Sequence, residues 1–380
     1  MSRVLVLLAF LTALCGCATT APKVPTTFYP ELPQQPRLQY LTSITTEDDL
    51  GKKASAFREM VVGKETTKSI ARPYDVGSVK GKIYISDRTL KRILILDLEK
   101  KEIDYIKEAR LGALKDPFGI HVTADGYKYV ADAGRRQILV FGPDESYVRA
   151  YGEKDQFEKP MDVAVFGEHI YVVDFSRHAV VVLDKESGQT IQTIGSRGTE
   201  PGMFNRPTHI RIDRQGNLFV NDAFNFRVQK LDPQGKYLKE YGYAGDTLGG
   251  FGRPKGMDVS PDGKLLYVAD AAFENVQIFD DESTDLLLFF GTYGNSPGSL
   301  YLPSGVYVDA QNLEYFSRYV DKDFKVKYLV IACSMLGEKK LNFYGFGDWV
   351  GEKLPEIAPQ KPAATAPAKA DQAAPPDATK

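Results

Sequence analysis

Cysteine, tryptophan and histidine are all scarce: the 380 residues hold three, one and four of them. So few cysteines exclude a disulfide framework. The short motifs that announce familiar chemistry are absent as well. No glycine-rich phosphate loop follows a strand-like run, and there is no Cys-x-x-Cys-His, no His-Glu-x-x-His and no Gly-x-Ser-x-Gly. These gaps argue against a self-contained redox or nucleotide enzyme. An excess of one charge is lacking too. Lys and Arg number 48 and Asp and Glu 50, a formal net charge of −2, which speaks against a nucleic-acid partner and an electrostatic membrane patch. The apolar run Val4 to Leu14 is too short to span a bilayer. Tyr and Phe, by contrast, are plentiful at 21 each, which suits pleated surfaces.

Met1-Ser2-Arg3 and the apolar run after it read as an export signal, residues 1–16. The run ends in Leu14-Cys15-Gly16-Cys17, which resembles the lipobox of bacterial lipoproteins. Cys15 is a mild departure. The resemblance implies that Cys17 becomes a lipidated N-terminus carrying diacylglycerol, the sole group expected to be attached. Ala18 in place of Asp after it implies the outer membrane. An ordinary signal cut after Ala18 is the plainer alternative. Cys333, in the run Tyr328-Leu329-Val330-Ile331-Ala332, then reads as a small buried hydrophobe. Residues 17–37, rich in Pro and Thr, read as a tether. Residues 355–380, almost wholly Pro, Ala, Lys, Gln, Asp and Thr, bury too little apolar area to fold and are expected to be disordered.

Between the tails, residues 38–354, the chain repeats. Six starts share a proline: Pro73, Pro117, Pro160, Pro207, Pro254 and Pro303, spaced 44, 43, 47, 47 and 49 residues apart. That spacing fits one four-stranded unit per repeat. In the first strands the residues one, three and five after Pro are mostly apolar, as in Phe118, Ile120 and Val122, so one face packs against a neighbour. A second strand ends on an acidic corner: Asp87, Asp132, Asp174, Asp222 and Asp270. Such an Asp is a short acceptor for turn N–H groups, and Arg92 and Arg227, five residues on, are placed to pair with it. A third apolar strand and a more polar fourth follow. The last repeat departs, with Ser317-Arg318 in place of Asp and a turn lengthened by Asp321-Lys322-Asp323. Its third strand is expected at Val326 to Cys333 and its fourth at Lys340 to Tyr344. Residues 54–62 suggest a short helix.

The stretch 72–346 resembles the NHL-repeat family, best around Asn217-Leu218-Phe219-Val220-Asn221-Asp222-Ala223-Phe224-Asn225-Phe226-Arg227-Val228. The resemblance implies an all-β, six-bladed propeller with four antiparallel strands per blade. The segment Leu38 to Ile44 reads as a strand that joins the last blade and shuts the ring, which removes most open sheet edge.

Propellers keep their sites on the axis. Asp75, His121, Asp162, His209, Arg211, Asp258 and Tyr307 follow the start prolines by two or four residues and are the candidate axial ring. Two histidines and three carboxylates have the chemistry to hold zinc or calcium; a ring solvated by channel water and cross-blade hydrogen bonds is the plainer reading. Arg72, Lys159, Arg206 and Arg253 each precede a start proline and are expected to make that mouth basic, unless they pair with Asp75, Asp162 and Asp258. The first functional expectation is an envelope-anchored, monomeric, non-catalytic binding or assembly lipoprotein with a protein or glycan partner, with a place beside electron-transfer proteins as one setting that no residue selects. The second is a metal-dependent lyase or lactonase with its site on the axis, since the resembling propellers include both.

Overall fold

The computed structural model describes residues 26–51, 67–107 and 110–355. Cys17, the segment 54–62 and most of the C-terminal tail lie outside the described residues.

The chain closes into six β-sheets, five of four strands and one of five. The first five blades each run inner to outer in chain order, as in the first: Pro73–Val79, Lys82–Asp87, Arg92–Asp97 and Glu102–Tyr105. The period of two decides which neighbour each side chain meets. Ile83 and Ile85 enter the apolar cluster shared with the sixth blade, and Tyr84 between them enters the one shared with the second. Leu94 and Leu96 divide from Ile93 and Ile95 in the same way. Six such clusters fill the six wedges between blades.

The acidic corners tie each blade's entry loop to its own middle turn. Asp87 accepts from the backbone N–H groups of Ala71 and Arg72 on one side and of Thr89 and Leu90 on the other. Asp174 and Asp270 repeat the pattern. Four N–H donors satisfy the hydrogen-bonding capacity of each of these buried carboxylates. Arg227 joins Asp222 at 3.0 Å. Arg92 does not join Asp87; its guanidinium lies over the Tyr105 ring, where stacking replaces the ion pair.

The sixth blade corrects the sequence expectation. Val326 to Cys333 belongs to its second strand, Phe324–Ser334, and Leu341–Trp349 is its third. The place expected for the second strand holds a helical turn, Leu313–Phe316, followed by Ser317–Tyr319. The inserted residues 310–323 lengthen the first hairpin and shift every later strand by one place. The fourth strand is Leu38–Ile44, paired antiparallel with Leu341–Trp349, as the sequence suggested. Phe28–Tyr29 adds a fifth, so the folded body reaches back into the proline-rich segment. Cys333 is buried and free.

Candidate functional site at the propeller axis

The inner strands bring different blades to one axis. In five of them the pairing register shifts just after the start proline. Such a bulge interrupts strict alternation and re-aims the side chains beside it. Gly119 marks how close the strands come: a Cβ there would sit 1.9 Å from Asp162 Oδ1.

The centre is an ion cluster. Arg211, from the fourth blade, donates Nη2 to Asp75 Oδ1 of the opposite first blade at 2.8 Å. Its Nη1 donates to Asp162 Oδ2 of the third blade at 2.9 Å and to Ile210 O. Its Nε lies 4.0 Å from Asp258 Oδ1 of the fifth. Each carboxylate also accepts a backbone N–H of the next blade: Asp75 from Ile120, Asp162 from Ile210, Asp258 from Val308. Three alternate blades are thereby stitched to their neighbours and to one guanidinium. Three carboxylates, Asp75 and Asp162 buried and Asp258 nearly so, share that single cation. Burial pushes Asp162 up despite Arg211, and pushes Asp258 up to about 6.

The expected ring therefore assembles only in part. Asp75, Asp162, Arg211 and Asp258 converge. His121 and Tyr307 line the channel beside them and keep some accessible surface. Burial and the Arg211 charge lower His121 to about 4, so its imidazole is neutral. Tyr307 Oη accepts from Ser78 Oγ at 3.3 Å, and burial raises it to about 12. His209 stands apart, stacked on Tyr74 with ring centroids 5.2 Å apart. A zinc or calcium ion does not fit this set. Arg211 already occupies the position between the carboxylates, and no three His, Cys, Asp or Glu groups among the described residues are placed to share a cation. Among the described residues His121 and His209 do not gather with the carboxylates into a metal-binding group, since His209 stacks on Tyr74.

The end of the channel beside the start prolines is built differently. The residues just after those prolines form a layer: Tyr74, Phe118, Met161, Thr208, Lys255 and Ser304. All are buried except Lys255, which is half-buried. Tyr74 packs edge-on to Phe118, and the Arg88 guanidinium caps the Phe118 ring at 3.8 Å. Burial lowers the Lys255 ammonium to about 8, helped by Arg253 and Arg88. Burial also holds His209 well below its ordinary value, with Arg211 and Lys255 adding to it. Tyr74 is pushed up by burial and by Asp162 and Asp75. Tyr74 Oη and His209 Nε2 are buried without a hydrogen-bond partner. Arg72, Lys159, Arg206 and Arg253 do not pair with Asp75, Asp162 or Asp258, whose cation is Arg211. Lys159 and Arg206 lie over the Phe175 ring instead. Sequence reasoning missed Tyr74, Arg88 and Lys255. The place of Tyr74 and Lys255, one residue after a start proline, was the available signal.

A family described as a 6-bladed beta-propeller matches residues 153–250. Among curated relatives, the peptidylglycine alpha-amidating monooxygenase of Rattus norvegicus is 26% identical over 161 residues, 40% of this chain and 16% of that protein. A probable peptidyl-alpha-hydroxyglycine alpha-amidating lyase of Caenorhabditis elegans is 25% identical over 142 residues, 36% of this chain and 37% of that protein. NHL repeat-containing protein 3 of Homo sapiens is 25% identical over 226 residues, 53% of this chain and 62% of that protein. The chain thus spans less than two thirds of the length of these relatives. Among solved structures, a protein of unknown function from Bacteroides thetaiotaomicron superposes with a TM-score of 0.56 at 16% identity, covering 80% of this chain and 75% of that one. This likeness concerns the fold alone. The sequence relatives named for catalysis overturn the expectation of a non-catalytic binding or assembly protein and favour the enzymatic alternative.

Proposed function

We propose that the protein is an enzyme of lyase or lactone-opening type that works by proton transfer at the start-proline end of the axis. The single observation that carries this is Lys255. It is the one partly exposed member of an otherwise buried layer. Its ammonium is lowered to about 8, close to the pH at which a general base is most useful. Its charge reaches the neutral imidazole of His209, and the phenol of Tyr74 stacks on that imidazole.

The names of the lyase relatives support one substrate class, a peptide ending in α-hydroxyglycine. On such a group the neutral Lys255 amine would take the hydroxyl proton. The O–H electrons become the new carbonyl bond, and the C–N pair leaves on nitrogen. Tyr74 protonates that nitrogen, and the Lys255 ammonium returns a proton to Tyr74. Lactones are the second class, since the same base activates water. The test is a two-class panel: release of glyoxylate from α-hydroxyglycine peptides, and opening of γ- and δ-lactones. Turnover of one class is expected. It should rise with pH up to about 8, and kcat should fall on the order of 100-fold in Lys255→Met and Tyr74→Phe. Absence of turnover in both classes sinks the enzymatic reading.

The reading includes export and a lipid on Cys17 at the outer membrane, supported by the order Leu14-Cys15-Gly16-Cys17. Mass spectrometry of the mature protein from a lipoprotein-processing bacterium should find an acylated Cys17. An unmodified N-terminus at Thr19 would point to the ordinary signal peptide instead.

A further inference from the structure

The polar atoms left unpaired at the start-proline mouth, sorted by what they can donate and accept, point to a ligand charge. His209 Nδ1 lies 3.0 Å from Thr208 Oγ1. That hydroxyl already accepts from Asn221 Nδ2 at 2.9 Å. Asn221 cannot turn over, because the same Nδ2 donates to Lys255 O at 2.6 Å and an oxygen there would face an oxygen. The Thr208 proton therefore has one acceptor in reach, His209 Nδ1. This assignment leaves the imidazole proton on Nε2, the buried atom with no partner. The Tyr74 hydroxyl, also buried and unpaired, keeps its proton because burial raises it. Both orphaned groups are donors.

The charges around them have one sign. Lys255 is crowded by Arg253 and Arg88. Arg88 is answered on one side by Asp116 at 2.8 Å. Among the described residues neither Lys255 nor Arg253 has a carboxylate within ion-pair distance, in contrast to Arg211, which has three within 4.0 Å. The unpaired acceptor Asn221 Oδ1 is on the other limb of a carboxamide whose nitrogen faces Thr208 and Lys255. Buried donors without acceptors are costly, and like charges held together repel. A ligand that brings acceptors and negative charge removes both penalties at once.

We propose that this mouth binds an oxyanion, the carboxylate or phosphate group of the substrate, through Tyr74, His209, Lys255, Arg253 and Arg88. The proposal rests on the enzymatic reading of the same mouth and adds the substrate's charge. Such a group takes the donors Tyr74 and His209 at its deep side and the Arg253 and Arg88 guanidinium groups at its rim, and the Lys255 ammonium adds its charge until it gives up its proton as the base.

Calorimetric titration of the folded protein with inorganic phosphate and, separately, with oxalate tests it, each at fixed ionic strength set with sodium chloride. Saturable binding of at least one anion is expected, and the stronger of the two identifies the group. Affinity should fall about tenfold in Lys255→Met and severalfold in Tyr74→Phe. Thermal unfolding of both variants confirms that they fold, and Lys159→Met, a cation over Phe175 on another blade, should bind like the parent. No saturable binding of either anion, or equal binding by all variants, overturns the proposal. The two readings fail separately. Anion binding without turnover of any panel substrate removes the enzyme and leaves the site. Turnover of uncharged lactones without anion binding does the reverse.

Discussion

Arg211→Met is expected to cost about 3–5 kcal/mol of folding stability, the usual loss when one partner of a buried ion pair is removed. The variant keeps the volume and loses the charge. Asp75 and Asp162 are fully buried, and each loses a direct contact of 2.8–2.9 Å. Their backbone donors, Ile120 and Ile210, remain but do not neutralise them. The damage should depend on pH, and its sign follows from the carboxylates. Asp258 is raised to about 6 in the folded protein against about 3.9 in an unfolded chain. Between those values the folded state holds more protons, so stability falls as pH rises from about 4 to about 6, by about 2–3 kcal/mol. Above that window this contribution is flat. Without Arg211, Asp162 and Asp258 should hold protons to still higher pH, because its charge opposes their rise, so the variant should be closer to the parent at pH 5 than at pH 8. Asp75→Asn added to Arg211→Met should recover part of the loss. Urea unfolding followed by circular dichroism at both pH values measures all of this. A loss under about 1 kcal/mol, the same at both pH values, would show that the cluster does not hold the blades.

Removal of the chain through Ile44 should leave no folded monomer, whereas removal of residues 1–25 should leave stability unchanged. Leu38, Leu41 and Ile44 are buried in the closing strand, each worth about 1.5–3 kcal/mol of burial. Gln39 holds the inserted loop of the sixth blade with two bonds, donating to Tyr319 O at 2.8 Å and accepting from Asp321 N at 3.0 Å. Loss of the strand also bares the edge of Leu341–Trp349, a template for association. Together these approach the whole margin of an ordinary domain, about 5–15 kcal/mol. Size-exclusion chromatography and urea unfolding of the two truncations decide it. A synthetic peptide of residues 26–46 added in trans should restore the monomer. An unchanged unfolding midpoint in the longer truncation would mean that the ring is closed by other contacts.

The repeated parts of this fold were legible because their causes are local. Alternation in Ile83-Tyr84-Ile85 reports which wedge each side chain fills, and a start proline followed some fifteen residues later by a corner Asp marks a blade. The sixth blade was misread beyond its first strand. The run Phe324–Ser334 is apolar enough for either a second or a third strand, and the inserted Leu313–Tyr319 turn removed the marker that tells them apart.

The candidate site was legible as a roster and not as an arrangement. Seven polar residues were placed on the axis by their offset from proline, and four of them meet. Which four was beyond pattern reading. Arg211 and Asp75 are 136 residues apart and meet only because the fourth blade faces the first across a closed ring of six. The same closure puts a guanidinium between the carboxylates, where a metal was the alternative to a solvated ring, and stacks His209 on Tyr74. By itself the sequence determined the number of blades, their alternation and the strand that shuts them, because hydrophobic period and turn chemistry act between near neighbours. The tertiary structure alone decided how the axial side chains are placed, through the bulge after five of the six start prolines and the approach of neighbouring strands at Gly119. Depth fixes how much water each group loses, and with it how far a lysine such as Lys255 departs from an ordinary surface charge.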